Sequence, residues 1–254
     1  MMKKKYIYVL FLFALSVLTA FTSQAQTQWN GRREIGNTQT TPAKYVGKLV
    51  IVWPNGKQSV GSGVLIGPHH VLTAGHAIYN YSRGGFAKTI LFTPALHGQI
   101  TPFAVAFARR LEVPRRYFES RGRDKAYDLG LISVNLNFSV QPGYMKFDMV
   151  SPSVLGRINR IDANMNGYDA DLFGGTHQLM RTSRMGRTAP WSQEFVATWF
   201  SAGGASGGPV WINIGGTPTV IGINTVGFTI GNTSKGVLLN GNTLPWIKQF
   251  IASW

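Results

Sequence analysis

The chain has 254 residues, a formal net charge of +15 and no cysteine. The lack of cysteine excludes a small disulfide-stabilised fold, a lipid anchor on cysteine and a cysteine-based metal site. After residue 25, no apolar stretch approaches the roughly 18 residues of a membrane-spanning helix, so the mature chain is expected to be soluble.

The N-terminus predicts a secretory signal peptide at residues 1–25. A basic start, Lys3 to Lys5, precedes an apolar run from Tyr8 to Ala20 and the small-residue sequence Ser23-Gln24-Ala25. Cleavage after Ala25 would send the protein to the periplasm or the medium and leave 229 of the 254 residues. An uncleaved N-terminal anchor is the alternative. After signal removal we expect no association with the membrane.

Residues 26–41 are polar and contain the pair Arg32-Arg33. This composition is typical of a flexible arm or of a short propeptide that is cut near Arg33. The main domain is therefore expected to span residues 42–254.

Within this domain, short runs rich in Val, Ile and Leu alternate with Gly, Pro and Asn turns, which predicts the strand spacing of a barrel or sandwich. The predicted strands are Gly47–Trp53, Gly61–Ile66, Thr89–Thr93, Leu129–Leu136, Val210–Ile214 and Val220–Val226. The chain ends in a predicted packing helix at residues 243–254, where a threonine cap and an early proline precede an apolar stripe at Ile247, Phe250, Ile251 and Trp254.

Two motifs indicate nucleophilic catalysis. His76 ends an apolar segment that begins at Gly61, and Ser206 lies in a glycine turn, Gly203 to Val210. A serine hydroxyl is a poor nucleophile at neutral pH, so it needs an imidazole to accept its proton and backbone N–H groups to stabilise the oxyanion. Taken singly, each motif is more often structural, because glycine-rich runs are usually turns.

The order of residues along the chain separates two hydrolase architectures. The sequence Gly204 to Gly208 also satisfies the G-x-S-x-G nucleophile elbow, whose histidine must follow the serine. All five histidines, however, precede Ser206. The order histidine, acid, serine excludes an α/β-hydrolase and is that of the chymotrypsin fold.

The acid of such a triad is expected between His76 and Ser206. Of the six aspartates in this interval, only Asp128 opens a strongly apolar run, and a buried carboxylate needs a hydrogen-bond donor such as an imidazole N–H. Asp124, in a polar loop, is the second candidate.

These motifs carry a resemblance to a known family. The segment Gly61–Ala77, the block Tyr127–Gly130 and the sequence Ser206–Val210 resemble the trypsin/chymotrypsin-fold serine peptidases, and Tyr45–Leu49 and Val71–His76 are similar to the bacterial glutamyl-endopeptidase-like branch. The resemblance implies an all-β fold of two six-stranded Greek-key barrels with a C-terminal α-helix. The barrels would occupy roughly residues 42–140 and 144–240, with a hinge near Gln141-Pro142-Gly143.

The resemblance also implies roles for individual residues. His76 would be the general base, Asp128 would orient it, Ser206 would be the nucleophile, and the N–H groups of Gly204 and Ser206 would form the oxyanion hole. Animal digestive members carry an aspartate just before the serine, which pairs with a newly freed N-terminal amine. Here that residue is Ala205, so the oxyanion loop must be held by other contacts.

By the same resemblance, the specificity pocket would be lined by Phe200, Ser201, Asn224, Thr225 and Gly227. None of these is acidic, which disfavours cleavage after Lys or Arg. Glutamate-specific relatives carry a histidine where Asn224 stands, so an acidic preference lacks its main anchor, although Ser201 and Thr225 could donate hydrogen bonds to a carboxylate. The preference stays open.

Charge and motif content limit the partners. Loss of Lys3 to Lys5 lowers the net charge to +12, and arginines cluster at residues 109–116 and 121–123. Such clusters could attract acidic surfaces, but a solvated charged face is the plainer interpretation, and no nucleic-acid-binding motif accompanies them. The chain lacks an H-E-x-x-H pair and a phosphate-binding loop, so we expect no metal and no cofactor.

The sequence therefore favours a secreted, monomeric serine endopeptidase that acts on protein or peptide substrates. A homologue without activity that binds cell-surface or matrix proteins through its basic face is the first alternative. Esterase or transferase activity through the same acyl chemistry is the second.

Overall fold

A computed structural model describes residues 30–150, 162–187, 192–229 and 233–253. The predicted signal peptide at residues 1–25 lies outside the described residues, so its cleavage stays a prediction.

The first barrel is closed by six antiparallel strands in the order β2-β3-β4-β9-β8-β7. Its strands are rich in Val, Ile and Leu, and the side chains of β2 alternate between the barrel interior and the outside, which is the period of a half-buried strand. A short hairpin, β5 and β6, lies beside the barrel. The bounds are β2 Val46–Val52, β3 Gln58–Gly67, β4 His70–Thr73, β5 Tyr79–Asn80, β6 Gly85–Phe86, β7 Thr89–Pro94, β8 Ala106–Glu112 and β9 Gly130–Val134.

The second barrel is also closed by six antiparallel strands. Its order is β12-β11-β14-β15-β16-β13, and the pairing of β13 with β12 completes the ring. Two short strands are added outside this ring: β1 pairs with β12, and β10 pairs in parallel with β15. The bounds are β1 Arg33–Glu34, β10 Lys146–Phe147, β11 Asp162–Gly167, β12 Leu179–Arg187, β13 Glu194–Ala197, β14 Pro209–Ile214, β15 Thr217–Thr229 and β16 Thr233–Leu238.

Three α-helices occur in the described residues: α1 Gly75–Ile78, α2 Arg115–Glu119 and α3 Thr243–Ala252. The terminal helix α3 packs back onto the first barrel, where the rings of Phe250 and His70 meet edge to face at 5.8 Å. Trp246 Nε1 also donates a hydrogen bond to Glu112 at 2.8 Å. The end of the chain thereby joins the two barrels. No α-helix within the described ranges has the length and apolar character needed to cross a bilayer.

The predicted fold class, two six-stranded barrels with a C-terminal helix, is confirmed. The six predicted strands correspond to β2, β3, β7, β9, β14 and β15, with ends that differ by a few residues. The predicted cap of the last helix is wrong. Asn242 is the N-cap and Thr243 is the first helical residue, while the Asn240 side chain accepts hydrogen bonds from both of their N–H groups. The exact barrel limits and the hinge stay predictions.

His70 makes the stability of the first barrel depend on pH. Burial and the neighbouring His69 lower the pKa of His70 to about 4, whereas an unfolded histidine has a pKa of about 6.5. At a pH between these two pKa values, His70 is protonated in the unfolded chain and neutral in the folded chain. The free energy of unfolding therefore falls as the pH drops from about 6.5 to about 4.

We therefore expect His70→Phe to flatten the fall in stability below pH 6.5, by at most about 1.4 kcal/mol per pH unit. Urea unfolding between pH 4 and pH 8 measures this, with the interval above pH 7 as the internal control because His70 is neutral there in both states. Parallel curves for the two proteins below pH 6.5 would refute it.

Candidate active site

His76 lies on the short helix α1, directly after the buried strand β4. The first N–H groups of a helix have no partner within the helix, and that of His76 donates to Asp128 Oδ1 at 2.7 Å. The ring of His76 meets the same carboxylate, with Nδ1 2.8 Å from Oδ2. Two contacts therefore fix both the backbone and the ring of His76, and one third of the side chain stays exposed.

Asp128 precedes β9 and is almost completely buried, with 1% of its surface exposed. Burial alone would raise the pKa of Asp128, but the charge of His76 and the hydrogen bonds that it donates outweigh burial and lower this pKa. The carboxylate is thus charged at neutral pH. Asp124, the second candidate acid, instead accepts a hydrogen bond from Arg116 at 2.8 Å. The structure brings Asp128 to His76 and leaves Asp124 in an ion pair of its own.

The loop that carries Ser206 comes from the second barrel and is held by Ser62 and Thr73 of the first. Ser62 N donates to Ser206 O at 2.8 Å, and Ser62 Oγ donates to Gly204 O at 2.7 Å. Thr73 Oγ1, three residues before His76, donates to Ser62 O at 2.7 Å. These buried bonds place the Ser206 loop against the end of β4, next to the turn that carries His76. Sequence reasoning did not identify Ser62 or Thr73.

Close packing at Gly207 confirms that the two loops touch. A Cβ atom on Gly207 would lie 2.1 Å from Ser62 O and from Thr73 Oγ1, and 3.1 Å from Ala74 N. Only glycine fits there. The Ser206 hydroxyl lies 3.5 Å from Thr225 O, the long limit of a hydrogen bond, so it is only weakly tied.

The predicted oxyanion residues lie on a backbone that requires glycine at position 204. Gly204 has φ +95°, and a Cβ atom there would lie 2.3 Å from Tyr168 O. Within the described residues, the N–H groups of Gly204 and Ser206 donate no hydrogen bond. Two unpaired donors in one turn are suited to receive an oxyanion.

A buried carboxylate, that of Asp169, holds the segment before Ser206. Ala205, the residue next to the serine, has no charge with which to do so. Asp169 accepts a hydrogen bond from Ala202 N at 2.8 Å and is paired with both guanidinium NH groups of Arg181. Arg181 also donates to Phe200 O at 3.0 Å. Asp169 and Arg181 thus fix the backbone of residues 200–202. The sequence alone did not indicate this role.

Arg32 completes this network from the N-terminal segment. Its guanidinium contacts Asp169 at 3.1 Å, makes two hydrogen bonds to Asp171 at 2.8 and 2.9 Å, and lies 4.6 Å from the centre of the Phe200 ring. Burial alone would lower the pKa of Arg32, and the two carboxylates more than offset this. Residues 32–34, which fall within the predicted arm, therefore bind the second barrel.

Three of the five predicted specificity residues, Ser201, Asn224 and Gly227, come together in a polar, uncharged cluster. Asn224 Nδ2 lies 3.4 Å from Ser201 Oγ, and a Cβ atom on Gly227 would lie 2.6 Å from Ser201 O. Trp199 and Ser234, which were not predicted, hydrogen-bond to Asn224 and Ser201 respectively. The carbonyl oxygen of Thr225 accepts the long hydrogen bond from the Ser206 hydroxyl. The Phe200 ring packs against the guanidinium of Arg32. No carboxylate belongs to this cluster.

A cleft of about 270 Å³ opens beside His76 and is distinctly basic. Three cations line it, Arg121, Arg123 and Lys125, and no acidic residue does. The guanidinium of Arg121 lies 4.7 Å from the centre of the Tyr81 ring, which also lines the cleft. The space next to the histidine therefore favours negatively charged groups.

The family model named Trypsin matches residues 35–247, most of the chain. The chain belongs to the trypsin family. Among curated proteins, it is 27% identical over 181 residues to a glutamyl endopeptidase of Bacillus licheniformis, covering 70% of this chain and 52% of that protein. It is 28% identical over 224 residues to an extracellular metalloprotease of Bacillus subtilis, covering 86% and 68%. The chain thus spans about half the length of the first relative and two thirds of the second.

Among solved structures, a Glu endopeptidase in complex with MPD matches this trypsin-family chain with a TM-score of 0.74 at 21% identity, covering 88% of this chain and 97% of that chain. That likeness concerns the fold. The resemblance inferred from the motifs is confirmed: the chain is a member of the trypsin family and has a glutamyl endopeptidase among its relatives.

Asp169 gives a test of what holds the serine loop. Asp169→Asn leaves buried Arg181 without its carboxylate, so we expect a loss of about 3–5 kcal/mol in the free energy of unfolding. Asp171→Asn is the matched control: Asp171 is 41% exposed, and buried Arg32 keeps its contact to Asp169, so the loss should be clearly smaller. Urea unfolding compares them, and equal losses would contradict the assignment.

Proposed function

We propose that this trypsin-family chain is a secreted serine endopeptidase that hydrolyses peptide bonds through an acyl-enzyme on Ser206. One observation carries the proposal: Asp128 holds the ring of His76 beside the loop of Ser206, and two backbone N–H groups of this loop have no partner among the described residues. This arrangement supplies a base, its orienting group, a nucleophile and an oxyanion site.

In the proposed mechanism, the Asp128 carboxylate accepts a hydrogen bond from Nδ1–H of His76 and stays charged. This leaves Nε2 unprotonated, so that it takes the proton of Ser206 as the serine oxygen attacks the scissile carbonyl. The oxyanion is stabilised by the N–H groups of Gly204 and Ser206. His76 then gives the proton to the leaving amine, and the C–N bond breaks. Water repeats the sequence on the acyl-enzyme, releases the acid and restores the serine.

Secretion is part of the proposal. The support is the signal-like sequence of residues 1–25 and the Bacillus subtilis relative, which is named an extracellular metalloprotease. Residues 42–254 would form the peptidase domain of a monomer, with residues 26–41 as the segment that precedes it.

A binding protein without activity is less well supported. The predicted basic face is partly neutralised, because Arg110, Arg115 and Arg116 pair with Glu112, Glu119 and Asp124. Binding through such a face would require neither the Asp128 contact to His76 nor the glycine turn at Ser206. Esterase activity would use the same acyl-enzyme and is separated from peptidase activity by the choice of substrate.

The test of the nucleophile is labelling by a fluorophosphonate, which replaces fluoride with the oxygen of an activated serine. We expect an adduct on Ser206, no adduct with Ser206→Ala, and a fall in kcat of about a millionfold, as for other triad nucleophiles. Asp128→Asn should lower kcat about ten-thousandfold. Ser139→Ala, an exposed serine elsewhere, is the control.

Labelling should also weaken at acid pH, because protonated His76 cannot accept the serine proton. A folded protein that forms no adduct at neutral pH, or one whose peptide cleavage survives Ser206→Ala, would overturn the proposed function.

We further propose that the basic cleft binds acidic side chains of the substrate next to the scissile bond. The cations that line the cleft support this, and so does the Bacillus licheniformis relative, which is named a glutamyl endopeptidase. The pocket cluster of Ser201 and Asn224 has no carboxylate, which disfavours Lys and Arg in it. The residue at the scissile bond itself stays open.

Arg123→Gln tests the cleft with paired peptides that differ by Glu and Gln beside the scissile bond. We expect KM for the Glu peptide to rise two- to fivefold, roughly the value of an exposed ion pair, with kcat unchanged and the effect reduced by salt. Arg115→Gln is the matched control, because Arg115 pairs with Glu119 and does not line the cleft. Equal changes in KM for the Glu and Gln peptides would contradict the proposal that the cleft binds acidic side chains.

A further inference from the structure

Glu34, His97 and His177 meet at one point although they lie far apart in the sequence. Glu34 belongs to β1, His97 follows β7 of the first barrel, and His177 precedes β12 of the second. One carboxylate oxygen and one nitrogen of each ring lie within 4.8 Å of one another, and all three residues are partly buried. The meeting point joins three separate parts of the chain.

The distances at this point fit metal ligands better than direct hydrogen bonds. Glu34 Oε1 lies 3.8 Å from His97 Nε2 and 3.7 Å from His177 Nε2, beyond the 2.7–3.2 Å usual for a hydrogen bond. Ligands placed tetrahedrally at about 2.1 Å from one zinc ion are about 3.4 Å apart. Movements of a few tenths of an ångström would bring the carboxylate oxygen to this spacing from each ring, and all three ligand atoms lie within 4.8 Å of one another.

The two histidines are held in place before any ion binds. Gly98 N donates to Thr176 O at 3.0 Å, which ties the two loops together, and His97 N donates to Ile100 O at 3.0 Å. The rings meet edge to face at 4.6 Å. Thr176 Oγ1 lies 3.2 Å from His177 Nδ1, the kind of outer contact that orients a metal-binding ring.

The nitrogen of His97 that faces the other two residues is Nε2. It lies 3.8 Å from Glu34 Oε1, too far for a hydrogen bond, so Nε2 is the atom of this ring that could bind an ion. The other ring nitrogen, Nδ1, is buried and has no hydrogen-bond partner among the described residues.

We propose that Glu34, His97 and His177 bind a divalent cation of the zinc class. Two imidazoles and one carboxylate, with water as the fourth ligand, are a donor set that zinc accepts. The ion would link β1 to both barrels in a chain that has no cysteine and hence no disulfide to do so. It would also fix the strand that begins directly after Arg32.

Zinc titration of the full-length protein in a Ser206→Ala background, with any affinity tag removed, tests the site without autolysis and apart from catalysis. We expect one Zn²⁺ per chain by calorimetry, with micromolar or tighter affinity, and a rise in Tm that EDTA reverses. Glu34→Gln, His97→Ala and His177→Ala should each weaken binding at least tenfold. Glu119→Gln, an exposed acid elsewhere, should leave it unchanged.

His76 could itself capture zinc, so His76→Ala is titrated as well and should keep the same affinity and stoichiometry. Circular dichroism of each metal-free variant checks that it is folded. Absence of Zn²⁺ binding, binding lost only in His76→Ala, or unchanged binding in folded variants of Glu34, His97 and His177 would each overturn the proposal.

Discussion

The alignment of the two barrels depends on Ser62. Its N–H donates to Ser206 O, its hydroxyl donates to Gly204 O and accepts from Tyr168 N, and its carbonyl accepts from Thr73. Ser62 is fully buried, so water cannot replace a lost partner, and each unmade bond would cost about 1–3 kcal/mol. Ser62 of β3, together with Thr73, therefore fixes the position of the Ser206 loop relative to the segment that carries His76.

A second constraint on the Ser206 loop is the ion pair of Asp169 and Arg181. Asp169 and Arg181 are both buried, and a buried charge is tolerated only when it is paired and hydrogen-bonded. Their contacts to Ala202 N and Phe200 O transmit that requirement to the backbone before Ser206. The Ser206 loop is thus fixed by the ion pair of Asp169 and Arg181, because Ala205 itself carries no charge.

The sequence predicted those features that a short stretch of residues encodes, namely several strands and three candidate site residues. Short runs rich in Val, Ile and Leu predicted six of the strands to within a few residues and missed others, such as β11 and β12. Local motifs selected His76, Asp128 and Ser206, of which the first two meet directly. It could not predict Ser62, Asp169 or the meeting of Glu34 with His97 and His177, because these contacts join distant segments and each residue has an ordinary neighbourhood. The cap of the last helix failed for a related reason: Asn240 competes with Thr243, and only the loop geometry decides between them.

The burial of Arg32 sets a limit on maturation. A cut after Arg33 would sever this guanidinium from the body of the molecule, although its two carboxylate partners would stay behind in the second barrel. A cut upstream of Arg32 would keep these contacts, whereas a cut after Arg33 would leave Asp171 without the guanidinium that pairs with it and Phe200 without the cation over its ring.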